Sequence, residues 1–320
     1  MTAAVSVRNA GWLRAMPAVF VLIWSTGFIV ARYGMPYAPP LKFLAVRYAL
    51  SLACFGVWVV LARVAWPAKR SQWGHLAVTG VLMQAGYLGG VWAAVHAGMG
   101  AGLVALLVGM QPVLTAVWLS FNGGRISGRQ WAGLALGFAG LVLVVSRKLG
   151  QGTEVNALTM GLAVMALLSI TAGTLYQKRF VAPCDVRSAS AVQMAAALLV
   201  TLPFAALEAQ AIEWNTHSIG AMAWSVLALS LGGSSLLYML IQRGTATAVT
   251  SLLYLVPPCT ALMAWLLFAE PITWTTVLGI GLTAVGVSLV VRGALTALSL
   301  FQRPAGLAGF QGSERNCSTR

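Results

Sequence analysis

Acidic side chains are scarce: the 320 residues hold six Asp and Glu, and charged residues of every kind make up 8% of the chain. Soluble domains carry about 25%, so a water-facing globule is excluded. Histidine is scarce as well. His75, His96 and His217 join no Glu-x-x-His pattern or cysteine cluster, and Cys54, Cys184, Cys259 and Cys317 have no metal-ligand spacing. A zinc site therefore has no ligand set, and the cysteines read as free thiols. Serines such as Ser25 and Ser51 have no evident base. Enzymatic chemistry is not expected, and neither is a cofactor or a metal.

Apolar residues fill the space: 59% of the chain is hydrophobic, with a mean hydropathy of +0.84. The net charge of +14 would suit a nucleic-acid binder if spread over a soluble surface, but membrane proteins concentrate Lys and Arg in cytoplasmic loops. No nucleic-acid partner is expected. Ten apolar segments of about 20 residues, each able to cross about 30 Å of hydrocarbon, are predicted at 13–33, 41–62, 75–96, 101–121, 127–146, 157–177, 188–207, 219–241, 247–268 and 272–292. The first follows Arg8 and Arg14 and so mimics a signal peptide, yet it is long and lacks a small-residue cleavage pattern. A retained first helix is expected.

The chain is written twice. A shift of 146 positions superposes Pro112 on Pro258, Ile126 on Ile272, Gly133 on Gly279 and Gly140 on Gly286, and upstream Gly27 on Gly173, Gly86 on Gly232 and Gly98 on Gly244. One register held across many loops indicates duplicated halves. Five helices per half is an odd number, so the second half must enter the bilayer from the opposite side. The expected fold is an all-α integral membrane protein of ten transmembrane helices in two inverted five-helix repeats. Its predicted parts are a cytoplasmic tail at 1–12, repeats at 13–146 and 157–292, and a disordered cytoplasmic tail at 293–320.

With both termini cytoplasmic, fifteen of the twenty Lys and Arg fall inside and four outside, Arg47 lying within the second segment. This satisfies the positive-inside rule. Trp12, Trp66, Trp73, Trp131, Trp214 and Trp274 lie near segment ends and read as interfacial anchors.

The passages IWSTGFIVARYG, FLAVRYAL, GMQPVLTAVW, QWAGLALGFAGLVLVV and LFAEPITWTTVLGIGLTAVGVSLVV together resemble the drug/metabolite transporter superfamily, in particular its EamA-like ten-helix branch. The resemblance implies a basket of ten helices around a central cavity, and export of small metabolites such as amino acids, or of drugs, across the inner (plasma) membrane. The implied partners are a small-molecule solute and the lipid bilayer, with homodimer formation left open. One departure stands out. Members of the branch commonly carry a Gly-Glu pair after the fourth and ninth helices; this chain keeps Glu270 but has Gly124 at the matching place. From the residues alone, Glu270 reads as an acid at the start of the tenth helix, with Pro271 in its first turn.

A carrier needs groups that hold a polar solute in mid-membrane, and these are costly unless they face a cavity or another helix. Trp24, Thr26, Gln84, Tyr87, Trp92, Gln111, Ser234, Tyr238 and Tyr254 are the predicted substrate-binding residues. The deep hydroxyls also suit bonds to their own backbone. Pro112, Pro257 and Pro258 remove backbone donors near mid-span, which fits a gating hinge and a static kink equally. All six acids fall in loops, the tail or near helix ends, so no mid-membrane carboxylate is available as a proton carrier. Arg47 is the deepest basic residue, and its repeat partner is neutral Gln193. Snorkelling to the outer interface and attraction of a substrate carboxylate are both open to it. The expected function is alternating-access export of amino acids or similar neutral or zwitterionic solutes. Multidrug efflux is the alternative within the class, and a non-transporting scaffold the alternative outside it.

Overall fold

The computed structural model describes residues 2–121, 127–148, 154–243, 255–270 and 272–301. Among these residues there are helices and no strands. In chain order they are α1 (Thr2–Gly34), α2 (Pro40–Leu61), α3 (Arg70–His96), α4 in two pieces (Ala101–Val108 and Gln111–Phe121), α5 (Gly128–Lys148) and α6 (Ala157–Phe180). Then come α7 (Val186–Leu207), α8 (beginning at Thr216 and ending at Arg243), α9 (Val256–Phe268) and α10 (Trp274–Phe301). Seven are long and apolar enough to cross a membrane, and three shorter apolar stretches belong to α5, α9 and α10. Two expected boundaries differ. The predicted tail at 1–12 is helical from Thr2, and α10 continues to Phe301, while the rest of the predicted C-terminal tail lies outside the described residues.

Helix starts follow local chemistry. Asn156 opens α6 and Asn215 opens α8, each in a reciprocal box with a hydroxyl three residues on, Thr159 and Ser218. Asp185 caps α7, and Pro40 stands in the first turn of α2, where its missing donor costs nothing. Inside α4, Pro112 cannot donate to the preceding turn, and the helix restarts at Gln111 after a break at Gly109 and Met110.

The inversion is visible at the helix ends. Glu208, between α7 and α8, accepts hydrogen bonds from the Leu41 and Lys42 amides at 3.0 and 2.7 Å, beside the α1–α2 connection. At the other end of α2, Gln72 donates to Ala182 O at 2.7 Å, joining the α2–α3 and α6–α7 connections. The α1–α2 and α6–α7 connections are repeat-equivalent, yet they lie at opposite ends of the bundle. Repeat-equivalent helices pack on one another, α2 on α7, α4 on α9 and α5 on α10, while α3 crosses to α6 and α1 to α8.

Small residues permit these crossings. A Cβ at Gly90 of α3 would sit 2.7 Å from Leu162 O of α6, and one at Gly286 of α10 would collide with the Gly133 and Gly137 backbones of α5. The outer faces of the bundle carry large exposed apolar side chains, among them Val60, Leu199, Leu207, Leu266 and Val285. So broad an apolar surface would aggregate in water and matches a hydrocarbon surround.

Candidate functional site at mid-span

Among the described residues two segments are wound as π-helix, and they lie at the same place in each half. Val81–Gly86 of α3 and Ser225–Ser234 of α8 are wound as π-helix, and a shift of 146 carries the first segment onto residues 227–232, inside the second. A π turn widens the helix and re-aims the side chains along it, and such turns concentrate at functional sites. Tyr48 Oη of α2 reaches into the α3 turn and donates to Gln84 O at 2.8 Å.

Between the two widened turns lies a cavity of about 30 Å³, walled by Trp24, Gly27 and Phe28 of α1, Arg47 of α2, Met83, Gln84, Tyr87, Leu88, Val91 and Trp92 of α3, and Leu229 and Ser234 of α8. Gln84 lies near the middle of the 27-residue span Arg70–His96, which puts the cavity at mid-depth. A volume of this size holds ordered water but no organic solute.

Its walls are aromatic with a few polar groups. Trp24 and Tyr87 lie parallel, their centroids 6.0 Å apart at an interplanar angle of 3°. Phe43 stacks behind Trp92 at 4.7 Å. The Arg47 side chain is 2% exposed. It turns inward: Nε donates to Ser230 Oγ at 3.0 Å, and Cζ stands 5.9 Å from the Trp92 ring centroid. Arg47 Nη1 and Gln84 Oε1 are buried without a hydrogen-bond partner. Among the described residues the ion pair seen is Arg187 with Asp185, far along the chain at the start of α7.

Of the residues singled out by sequence, Trp24, Gln84, Tyr87, Trp92 and Ser234 meet at this cavity. Others lie elsewhere. Thr26 Oγ1 donates to Ile23 O at 2.6 Å and accepts from Trp224 Nε1 at 2.9 Å. The buried Gln111 stands at the break in α4, where its amide donates to Thr174 of α6 at 3.0 Å. Tyr238 sits 3.0 Å from Cys184 Sγ beside a separate cleft of about 580 Å³, with Trp58, Asp185 and Arg187. Tyr254 lies outside the described residues. Pro257 and Pro258 open α9, and the Pro257 ring presses on the break of α4, its Cγ 2.8 Å from where a Cβ at Gly109 would stand. Pro112 is buried in the first turn after that break. The proline-marked start of α9 therefore abuts the break in α4.

Arg47 completes the cavity wall and Ser230 holds it there, although neither was among the nine predicted substrate-binding residues. The signal for Arg47 was its depth in an apolar span. The π turns left no mark that sequence could show beyond the paired glycines Gly86 and Gly232.

Glu270 requires a correction. It serves α4 rather than α10: Glu270 Oε1 accepts from the Ala101 amide at 3.2 Å, next to Glu154 Oε1, which accepts from the Gly100 amide at 3.0 Å. Both carboxylates meet the positive end of α4. Among the described residues no His, Cys, Asp and Glu cluster suits a metal ion.

A small mid-span cavity between two inverted halves with matching π turns fits a multi-pass membrane transporter of small solutes. The chain belongs to the EamA-like transporter family, which matches it at residues 15–146 and again at 157–292. It is similar to the "Uncharacterized transporter YvbV" of Bacillus subtilis, 26% identical across 85% of this chain and 89% of that protein. It is also similar to the "Uncharacterized inner membrane transporter YedA" of Escherichia coli K12, 26% identical across 86% and 90%. A third relative is the "Probable amino-acid metabolite efflux pump" of Escherichia coli K12, 25% identical across 85% and 92%. A solved structure titled "Crystal structure of protein" shares the fold with a TM-score of 0.64 at 17% identity, over 89% of this chain and 97% of that one.

Proposed function

We propose that the chain exports amino acids or closely related zwitterionic solutes by alternating access around the cavity between α1, α2, α3 and α8. The observation that carries this reading is the cavity itself: it lies at mid-span, draws its walls from both repeats, and combines stacked aromatics with two unsatisfied polar groups. Such a wall suits a solute with an apolar side chain and a charged head. A relative named as a probable amino-acid metabolite efflux pump supports the substrate class and the outward direction.

The mechanism follows from the small volume. A site that holds only water must widen to admit cargo, and the elements able to move are those whose helical hydrogen bonding is already irregular. The π turns of α3 and α8 sit at repeat-equivalent places, and the break of α4 abuts the start of α9, so one half can open as the other closes. The expected orientation, with both termini cytoplasmic, puts the arginine-rich connections inside. Trp66 and Trp73, stacked at 5.4 Å near one end of α3, fit an interfacial anchor there. Multidrug efflux is disfavoured, because a buried cation in the wall repels the lipophilic cations that such carriers take.

The test is counterflow in proteoliposomes holding the full chain, loaded with the twenty amino acids and read by mass spectrometry. Exchange of a subset above empty vesicles is the expected result. Exchange of none of them, alongside exchange of a lipophilic cation, would move the chain to the drug-efflux reading.

A further inference from the structure

Packing leaves two polar groups over in the cavity wall, and they are opposite in kind. Arg47 Nη1 is a donor on a permanent cation, and Gln84 Oε1 is an acceptor. Both are buried, and neither has a partner. Ser230 holds Nε and the guanidinium stands beside the Trp92 ring, and Arg47 lines the cavity. Among the described residues no carboxylate pairs with Arg47. A lone buried charge is costly enough that proteins rarely keep one without use.

We infer that the missing partners are the two charged groups of an α-amino acid: its carboxylate on Arg47 Nη1 and its ammonium on Gln84 Oε1, with the side chain against Trp24 and Tyr87. This rests on the amino-acid reading of the transported solute, and it adds the residues that select. Guanidinium presents a planar fork of donors that matches a carboxylate. An amine lacking the carboxylate brings a second cation beside Arg47. An acid lacking the amine leaves Gln84 unpaired. The wall thus reads both ends of the zwitterion and leaves the side chain to the aromatic faces.

The grip also spans the repeats. Arg47 comes from α2 and Gln84 from the π turn of α3, while the serine that orients Arg47 comes from the π turn of α8. Ser230 is the repeat partner of Gln84, as Gln193 is of Arg47. Movement of either half therefore alters the hold on the cargo.

The experiment begins with wild-type counterflow and the amino acid that exchanges best. Its methyl ester, which keeps the ammonium and loses the carboxylate, and its N-acetyl derivative, which does the reverse, are then offered as competitors. Each is expected to compete about tenfold or more weaker than the parent, the worth of one charged hydrogen bond. Arg47→Gln should cut exchange by about 100-fold, and Gln84→Leu should remove the discrimination against the N-acetyl derivative. An ester that competes as well as its parent on the wild-type protein overturns the assignment of Arg47, whatever becomes of the variants' folding. An N-acetyl derivative that does so overturns the assignment of Gln84. A wild-type protein that exchanges no amino acid overturns the amino-acid reading and this inference together, whereas exchange with indifferent competitors overturns the inference alone.

Discussion

The two halves share a backbone and differ at the centre. Repeat one and repeat two have π turns at matching positions, helical segments that begin at matching prolines, and glycines that cross at matching depths. At the cavity the match ends. Under the repeat shift Arg47 corresponds to neutral Gln193, Gln84 to Ser230, Trp24 to Ile170 and Trp92 to Tyr238. On the proposed reading, duplication supplies parts that move in pairs, and the departures from duplication carry the recognition chemistry.

Gln193→Arg is the harshest way to test this asymmetry. Gln193 is 5% exposed, and its backbone is pressed against Gly80 just before the π turn of α3. Gln193 Nε2 already lacks a hydrogen-bond partner among the described residues, and a second buried cation there should destabilise the protein by about 3–5 kcal/mol, measured as a fall in the thermal midpoint in detergent. A variant as stable as wild type would show that the matching site tolerates charge equally, and the halves would then not differ in kind.

Arg47→Met should move stability and activity in opposite directions. Removing an unneutralised buried charge is expected to stabilise the fold by about 1–4 kcal/mol, while amino-acid exchange disappears. If Arg47 were only a strut between α2 and α8 through Ser230, stability would fall as well. Thermal midpoint and counterflow on the same preparation separate the two.

At the glycine crossings the halves should behave alike. Gly140 and Gly286 are repeat partners, and each would drive a side chain into the opposing backbone where α5 meets α10. Gly140→Leu and Gly286→Leu should each cost about 1–3 kcal/mol through overpacking, and by similar amounts. A large loss in one with none in the other would break the symmetry of the frame rather than of the cavity.

The frame was legible because its causes are periodic. Span length, apolar runs and the 146-residue register all leave marks in sequence, and an odd helix count then dictates inversion. The cavity was legible only in part. Deep aromatics and Gln84 advertise themselves by being costly in hydrocarbon, and they do meet there. Thr26 and Gln111 advertise in the same way, yet their hydrogen bonds end on Trp224 and Thr174, because a neighbouring helix satisfies a polar group as well as a cavity does. Periodicity says nothing about which neighbour is nearest. For the same reason, Glu270 read as the start of α10 from its position beside Pro271, whereas its carboxylate crosses to the first turn of α4.

Glu270 gives the smallest expected effect and the sharpest check on where asymmetry matters. Its repeat position holds Gly124, so this acid too exists in one half only, but it stands at a helix end and not at the cavity. Glu270→Gln keeps an acceptor for the Ala101 amide and removes only the charge at the α4 N-terminus, with Glu154 still bonded to Gly100. A cost of about 0.3–1 kcal/mol is expected, with exchange retained. Loss of exchange in a folded Glu270→Gln protein would mean that unmatched residues at the rim are as functional as those at the centre. Recognition would then not be confined to the cavity, and the closing of the outer helix ends would join it as a transport step that needs this carboxylate.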